Sequence, residues 1–107
     1  MAGPGELDRA VVARSLERLR QLIADRLAGR SADVYLFGSH ATGRARWSSD
    51  IDVAIDPKDA LPVSFFSNLT EAIEDSEIPY PVDLIDLSHA APEFRARVLR
   101  DGVKWIG

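Results

Sequence analysis

The chain has 107 residues, of which 46% are apolar and 28% are charged, and this size and composition are typical of one globular domain. Its net charge of -4 disfavours a general nucleic-acid-binding surface, and the lack of cysteine excludes disulfides, thiolate catalysis and cysteine-based zinc sites. No apolar run approaches the roughly 20 residues of a membrane span, and the N-terminus lacks a signal-peptide pattern. We therefore expect a cytoplasmic protein that neither enters a membrane nor binds nucleic acid directly.

Hydrophobic periodicity predicts a flexible lead over residues 1–5 and one folded domain over residues 6–107. The patterns alternate between helical and extended, in the order helix, strand, short helix, strand, helix, strand, helix, strand. The predicted bounds are 6–29, 33–38, 39–42, 50–55, 61–76, 81–87, 88 or 89 to 101, and 103–106. This alternation favours an α/β (α+β) sandwich, with a mixed sheet of about four strands and helices largely on one side.

Two acidic residues are separated by one apolar residue at the start of the second strand. Because successive side chains of a strand point to opposite faces, Asp50 and Asp52 are expected to share one face. Their side chains would lie roughly 6.5–7 Å apart on a rigid support. Two such charges repel each other, so the pair predicts a site for a divalent metal ion.

Gly38 and Ser39 follow the first strand, where a tight turn into a helix would expose backbone N–H groups and a hydroxyl. The start of a helix favours a bound anion, so this turn is a candidate phosphate site. Ser39 is also well placed as the N-cap of the short helix, and capping alone is its simpler interpretation. The stretch between residues 38 and 52 thus suits phosphate at one end and Mg²⁺ at the other.

A Gly-Ser pair followed after ten residues by Asp-x-Asp resembles the signature of the DNA polymerase β-like nucleotidyltransferase superfamily. The small size and the run over residues 49–53 are most similar to the minimal nucleotidyltransferases, the MNT family paired in prokaryotes with HEPN-domain proteins. The resemblance implies the small nucleotidyltransferase fold, with ATP as substrate and its β and γ phosphates held at Gly38 and Ser39. It also implies two Mg²⁺ ions held by Asp50, Asp52 and a third carboxylate, Asp83, all three serving as catalytic and metal-binding residues.

The third strand contains two acids, and the choice of one of them as the third carboxylate rests on strand parity. Asp83 and Asp86 alternate onto opposite faces, so at most one of them can join the other carboxylates. Asp83 is favoured because it lies opposite to core-directed neighbours, whereas Asp86 is the alternative or a strand-end or helix-cap residue. Asp56 shares the parity of Asp52 but stands about 13 Å further along, where we expect it to cap a turn.

Other side chains near the motif have less defined roles. Arg44 is the favoured contact to the triphosphate because it follows Gly43, although it and Arg46 could merely keep the loop soluble. Trp47 could stack on a base or cover the edge of the core. His40 lies beside the predicted phosphate site, but a lone histidine defines no catalytic role.

The acceptor of the nucleotide is expected on a separate protein, because the domain is too small to contain a second substrate domain. The resemblance implies that this partner is a HEPN toxin and that the chain is its antitoxin, acting by adenylylation or by binding. We predict an ATP-using protein adenylyltransferase. Two alternatives remain open, namely a module that neutralises its partner by contact alone and a homo-oligomeric transferase for a small molecule.

Overall fold

The computed structural model describes residues 4–38 and 50–107, and within that part of the chain it contains three α-helices, one 3-10 turn and four strands. The elements in chain order are α1 Pro4–Leu27, β1 Ala32–Phe37, β2 Ile51–Pro57, α2 Phe65–Glu74, β3 Val82–Asp86, the 3-10 turn Leu87–His89, α3 Pro92–Asp101 and β4 Val103–Ile106. The predicted order of elements is confirmed in this part of the chain. The short helix predicted over residues 39–42 lies outside the described residues.

Helix α1 begins at Pro4, so residues 4 and 5 of the segment that we expected to be a flexible lead are helical. Proline fits the first position of a helix because its missing N–H group would have no intrahelical acceptor there. The helix ends at Leu27, where Ala28 and Gly29 adopt positive φ angles of 52° and 85°. This left-handed backbone ends the helix and turns the chain into β1.

The last predicted helix is interrupted near its start. A 3-10 turn follows β3, and α3 begins separately at Pro92. A proline disfavours helical geometry in the residue before it, and Ala91 is extended, with φ -60° and ψ 144°. A continuous helix from residue 88 or 89 is therefore excluded by the proline.

The four strands form one mixed sheet in the order β3-β2-β1-β4. Strand β1 pairs antiparallel with both β2 and β4, whereas β2 pairs parallel with β3. The mixed character of the sheet and its four strands are as predicted. Strand β3 lies at one edge, so its outer side has no strand neighbour within the described residues.

The main core lies between one face of the sheet and the helices α1 and α2. Each large aliphatic side chain fully buried there stabilises the fold by about 1.5–3 kcal/mol relative to exposure. The buried members of this core are Leu19, Ile23, Leu27, Ala32, Val34, Leu36, Ile51, Val53, Ile55, Phe65, Leu69 and Ile73. Since α1 and α2 share this face, the prediction of helices largely on one side is confirmed.

A second, smaller cluster lies on the opposite face of the sheet, under α3 and the 3-10 turn. Its buried members are Tyr35, Ala54, Leu87 and Val98, with Phe37, Ile85, Ala90 and Phe94 packed against them. The rings of Phe37 and Phe94 meet edge to face, with their centroids 5.7 Å apart. Helix α3 packs over β1, while Asp83 on β3 stays exposed on the same face.

Asp56 lies inside β2 and is buried, with 6% of its side-chain surface exposed. Arg95 of α3 donates two hydrogen bonds of 2.8 Å to it, from Nη1 to Oδ1 and from Nη2 to Oδ2. The Nζ of Lys58 lies 3.1 Å from Oδ2 of the same carboxylate. The turn-capping role predicted for Asp56 is therefore wrong, because β2 continues to Pro57 and the carboxylate faces the guanidinium of α3.

In the part of the chain that the structure describes, no helix is long and apolar enough to cross a membrane.

We expect Arg95→Ala to lower the free energy of unfolding by about 2–3 kcal/mol, measured by urea denaturation. Removing one partner of a buried pair costs about 3–5 kcal/mol, and the smaller value expected here reflects the remaining Lys58 and the partial exposure of Arg95. The matched control is Arg100→Ala, which removes the same side chain from an exposed pair with Asp101 on the same helix. Equal losses in the two variants would contradict this role of Arg95.

The same pair predicts a specific dependence of stability on pH. Hydrogen bonds from Arg95 hold the pKa of Asp56 below its ordinary value of 3.8, although burial acts in the opposite direction. A carboxylate with a lowered pKa in the folded state stabilises the fold above about pH 4, and this contribution is lost as the pH falls through the folded pKa. The unfolding free energy of the wild type should therefore fall more steeply below about pH 4 than that of Asp56→Asn. Parallel curves in urea titrations across this range would be inconsistent with the assignment.

Candidate active site

Two of the three predicted carboxylates lie side by side on adjacent strands. Asp52 of β2 and Asp83 of β3 are register partners in the parallel pair. Partners in a parallel pair point to the same face, with the strands about 4.8 Å apart. Asp83 is exposed and Asp52 is half-buried, so this pair of carboxylates faces solvent on the side of the sheet opposite to the main core.

Asp50 comes immediately before β2 and is exposed. It has the sequence parity expected for a third member of the site, but no register partner fixes its direction. Among residues 4–38 and 50–107, no three His, Cys, Asp or Glu side chains already form a metal-binding group. The structure thus brings Asp52 and Asp83 together, and the participation of Asp50 stays a prediction.

Gly38 lies directly against the carboxylate of Asp52. It follows Phe37, which is the cross-strand partner of Asp52, and it has a φ of +73°. A Cβ at this position would overlap Oδ2 of Asp52. Both the backbone angle and the close approach therefore require glycine here, and the predicted phosphate turn begins next to the predicted metal carboxylate.

Asp86, the alternative third carboxylate, has a different role in the structure. Its Oδ1 accepts hydrogen bonds from the backbone N–H and the hydroxyl of Ser88, at 2.9 and 2.6 Å. Its register partner is Ile55, a residue of the main core, so Asp86 lies on the parity opposite to Asp83. This placement matches the cap role that the sequence offered for Asp86 and favours Asp83 as the carboxylate beside Asp52.

Comparison with known proteins agrees with this geometry. A sequence profile of the family described as "Polymerase beta, Nucleotidyltransferase" matches residues 29–106, which is more than half of the chain. The chain belongs to this nucleotidyltransferase family. The match includes the Gly-Ser pair, both strands that carry the site acids, and the helix α3 above them.

A curated relative is the "Probable protein adenylyltransferase MntA" of Haemophilus influenzae, which is 35% identical over 77 residues. The matched region makes up 72% of this chain and 62% of that relative, so the chain spans less than two thirds of the relative's length.

Solved structures with a similar fold include two complexes. A toxin-antitoxin with AMP-PNP contains a chain that is 28% identical, with a TM-score of 0.65 over 82% of this chain and 73% of that chain. A complex of a tri-AMPylated Shewanella oneidensis HEPN toxin with its MNT antitoxin gives 25% identity and a TM-score of 0.65, over 89% of this chain and 71% of that one. The resemblance to minimal nucleotidyltransferases, predicted from residues 38–52, is confirmed.

Several predicted site residues lie outside the described part of the chain. They are Ser39, His40, Arg44, Arg46 and Trp47. The expected phosphate contacts of Ser39 and Arg44 accordingly stay predictions.

The structure also adds residues that the sequence reasoning missed. Phe37 is the cross-strand neighbour of Asp52. Phe37 lines a small pocket beside Gly38 together with Phe94 and Arg97 of α3. The signal available in the sequence was weak, since an aromatic and an arginine three residues apart on an amphipathic helix are ordinary core and surface residues. A larger groove of about 640 Å³ between α1 and residues 75–79 contains none of the predicted site residues.

We expect Gly38→Ala to cost more stability than Gly29→Ala, because the two glycines share left-handed φ angles but differ in their surroundings. A Cβ at Gly29 would meet no atom within 4 Å, so that variant should lose about 1 kcal/mol from backbone strain alone. Gly38→Ala should lose about 1–2 kcal/mol beyond this, because the Asp52 carboxylate must move. Urea denaturation measures both values.

A double-mutant cycle tests whether the contact with Asp52 is the cause. In an Asp52→Ala background the overlapping oxygen is gone, so Gly38→Ala should cost no more than Gly29→Ala. An unchanged cost of Gly38→Ala in that background would show that the Asp52 carboxylate is not the obstacle.

Proposed function

We propose that this nucleotidyltransferase transfers AMP from ATP to a hydroxyl of a HEPN-class partner protein in a Mg²⁺-dependent reaction, and that it acts as the antitoxin of that partner. The observation that supports this proposal most strongly is the row formed by Gly38, Asp52 and Asp83 on the accessible face of the sheet. A glycine turn and two adjacent carboxylates at one place suit a triphosphate and the cation that accompanies it.

The donor set fits Mg²⁺, which prefers oxygen ligands and binds through one or two carboxylates together with substrate phosphates. Asp52 and Asp83 supply oxygens from adjacent strands, and Asp50 adjoins them at the start of β2. Bound Mg²⁺ would offset the charge on the phosphate oxygens and lower the barrier to displacement at phosphorus. These three residues are therefore the proposed metal ligands.

The protein's own groups have distinct parts in the proposed reaction. The turn at Gly38 and Ser39 would hold the β and γ phosphates, which leaves the α phosphorus facing the carboxylates. Asp83 would accept the proton of the acceptor hydroxyl while the hydroxyl oxygen bonds to the α phosphorus. The bond from that phosphorus to the β-phosphate oxygen breaks, and pyrophosphate leaves.

The partner class is inferred from the relatives. Two of the similar solved chains come from toxin-antitoxin complexes, one with AMP-PNP and one with a tri-AMPylated HEPN toxin. The curated relative carries the name of a protein adenylyltransferase. A protein acceptor also suits the position of Asp83, which is exposed on the edge strand, where a large molecule can approach.

The decisive experiment follows the phosphorus atoms of ATP. The protein is mixed with Mg²⁺, a HEPN-domain protein and ATP labelled at either the α or the γ phosphate, and the labelled acceptor is measured. We expect transfer of the α label and none of the γ label. Asp52→Asn and Asp83→Asn should each slow the transfer at least about a hundredfold, because each removes a negative charge from the proposed ligands of the cation.

The matched control is Asp86→Asn, which makes the same chemical change on the same strand but on the opposite parity. This variant should retain wild-type transfer, since an asparagine oxygen can still cap the turn at Ser88. Loss of transfer in Asp86→Asn with full transfer in Asp83→Asn would reverse the assignment of the third carboxylate. If the toxin is neutralised while no α label is transferred to it, the result would instead support a module that neutralises its partner by contact alone.

A further inference from the structure

A small pocket lies beside Gly38, on the sheet face that carries the carboxylates. It has a volume of about 310 Å³ and is lined by Phe37, Gly38, Phe94, Arg97, Val98 and Asp101. Val98 is buried at its base, whereas Arg97 and Asp101 are exposed. This volume is at the lower end of the range for small-molecule sites, which suits one flat ring system better than a whole nucleotide.

The position of the pocket relative to the carboxylates follows from strand pairing. Phe37 is the cross-strand partner of Asp52, and Asp83 is the partner of Asp52 on its other side. Across the sheet the order is therefore Asp83, Asp52, Phe37, with α3 covering the last of these. The pocket and Asp83 lie on opposite sides of Asp52.

We propose that the pocket formed by Phe37, Phe94 and Arg97 is the subsite for the nucleobase of the nucleoside triphosphate. This inference rests on the proposed function, in which the triphosphate is held at the turn that begins with Gly38. The edge-to-face pair of Phe37 and Phe94 offers an apolar wall to a base, and a guanidinium can lie over its face.

The sidedness of the site favours the base over the acceptor as the occupant. The pocket includes Gly38, and so adjoins the predicted phosphate turn. The acceptor hydroxyl must instead reach the group that takes its proton, Asp83, which lies on the other side of Asp52. An acceptor in the pocket would have to cross the position of the phosphates.

The charges at the rim do not repel a bound nucleotide as a whole. Hydrogen bonds from Arg100 are the main cause of the lowered pKa of Asp101, and the charge of Arg97 contributes further. Arg97 thus lies within electrostatic range of Asp101, and together with Arg100 it balances the single negative charge there. The two charged residues that line the pocket, Arg97 and Asp101, have opposite signs, so the rim presents no net negative charge to an anionic ligand.

The test compares Mg·ATP with Mg·tripolyphosphate, which has the phosphates but no base, by calorimetric titration of the full chain. We expect Phe94→Leu and Arg97→Ala to weaken Mg·ATP binding about tenfold, in line with the loss of stacking on one base. Binding of Mg·tripolyphosphate should stay within about twofold of the wild type. Arg97→Ala changes an exposed residue, so its result does not depend on the stability of the core.

Two controls on the same helix complete the design. Leu99→Ala removes an exposed apolar side chain outside the pocket, and Arg100→Ala removes one positive charge from a residue that does not line it. Both should bind Mg·ATP like the wild type. An equal effect of Arg97→Ala and Arg100→Ala would indicate a general charge effect and would overturn the base subsite.

The remaining outcomes separate this inference from the proposed function. If the wild type binds neither ligand, both are wrong. If it binds Mg·ATP and the pocket variants bind equally well, only the base subsite is wrong. Weaker binding of both ligands to Arg97→Ala would make Arg97 a phosphate ligand. Unchanged binding of Mg·ATP to the pocket variants, together with slower transfer of AMP to the partner protein, would assign the pocket to the acceptor.

Discussion

The pairing of β2 with both of its neighbours is the constraint on which the site depends. On the core face of β2, Ile51, Val53 and Ile55 are fully buried against α1 and α2. A shift of one residue in the register would turn Asp52 into that core and bring the aliphatic side chains to solvent. Burial of an unpaired carboxylate costs several kcal/mol, so the packing of one face fixes the direction of the acids on the other.

The opposite face depends on a different kind of interaction. Helix α3 has only ten residues and one fully buried side chain, Val98, so apolar burial alone contributes little to its packing on the sheet. The bidentate pair between Arg95 and Asp56 supplies directional contacts at the far end of β2. Because Phe94 is the neighbour of Arg95 in the helix, this pair also positions the ring that packs on Phe37. An ion pair at the other end of β2 from the proposed site thereby helps to hold the helix that borders that site.

The contrast between Asp52 and Asp56 shows how far the sequence can predict this site. Both acids have the same parity on β2, and alternation correctly placed Asp52 with Asp83 away from the core. The structure pairs Asp56 with Arg95, 39 residues further along, and no local pattern reveals a partner at that distance. The same limit applies to the pocket, since Phe94 meets Phe37 only after α3 has folded onto β1. Periodicity predicts what each element does alone, whereas contacts between distant elements need the structure.

The two sides of the carboxylate pair differ in a way that bears on the acceptor. On the β1 side, α3 and its aromatic ring leave a space of about 310 Å³, which only a small group can enter. On the β3 side, Asp83 is exposed and its strand is the edge of the sheet, so nothing in the described residues restricts the size of an approaching molecule. A site enclosed on one side and open on the other suits a small donor and a large acceptor. This asymmetry gives the proposal of a protein acceptor a physical argument that is independent of the relatives.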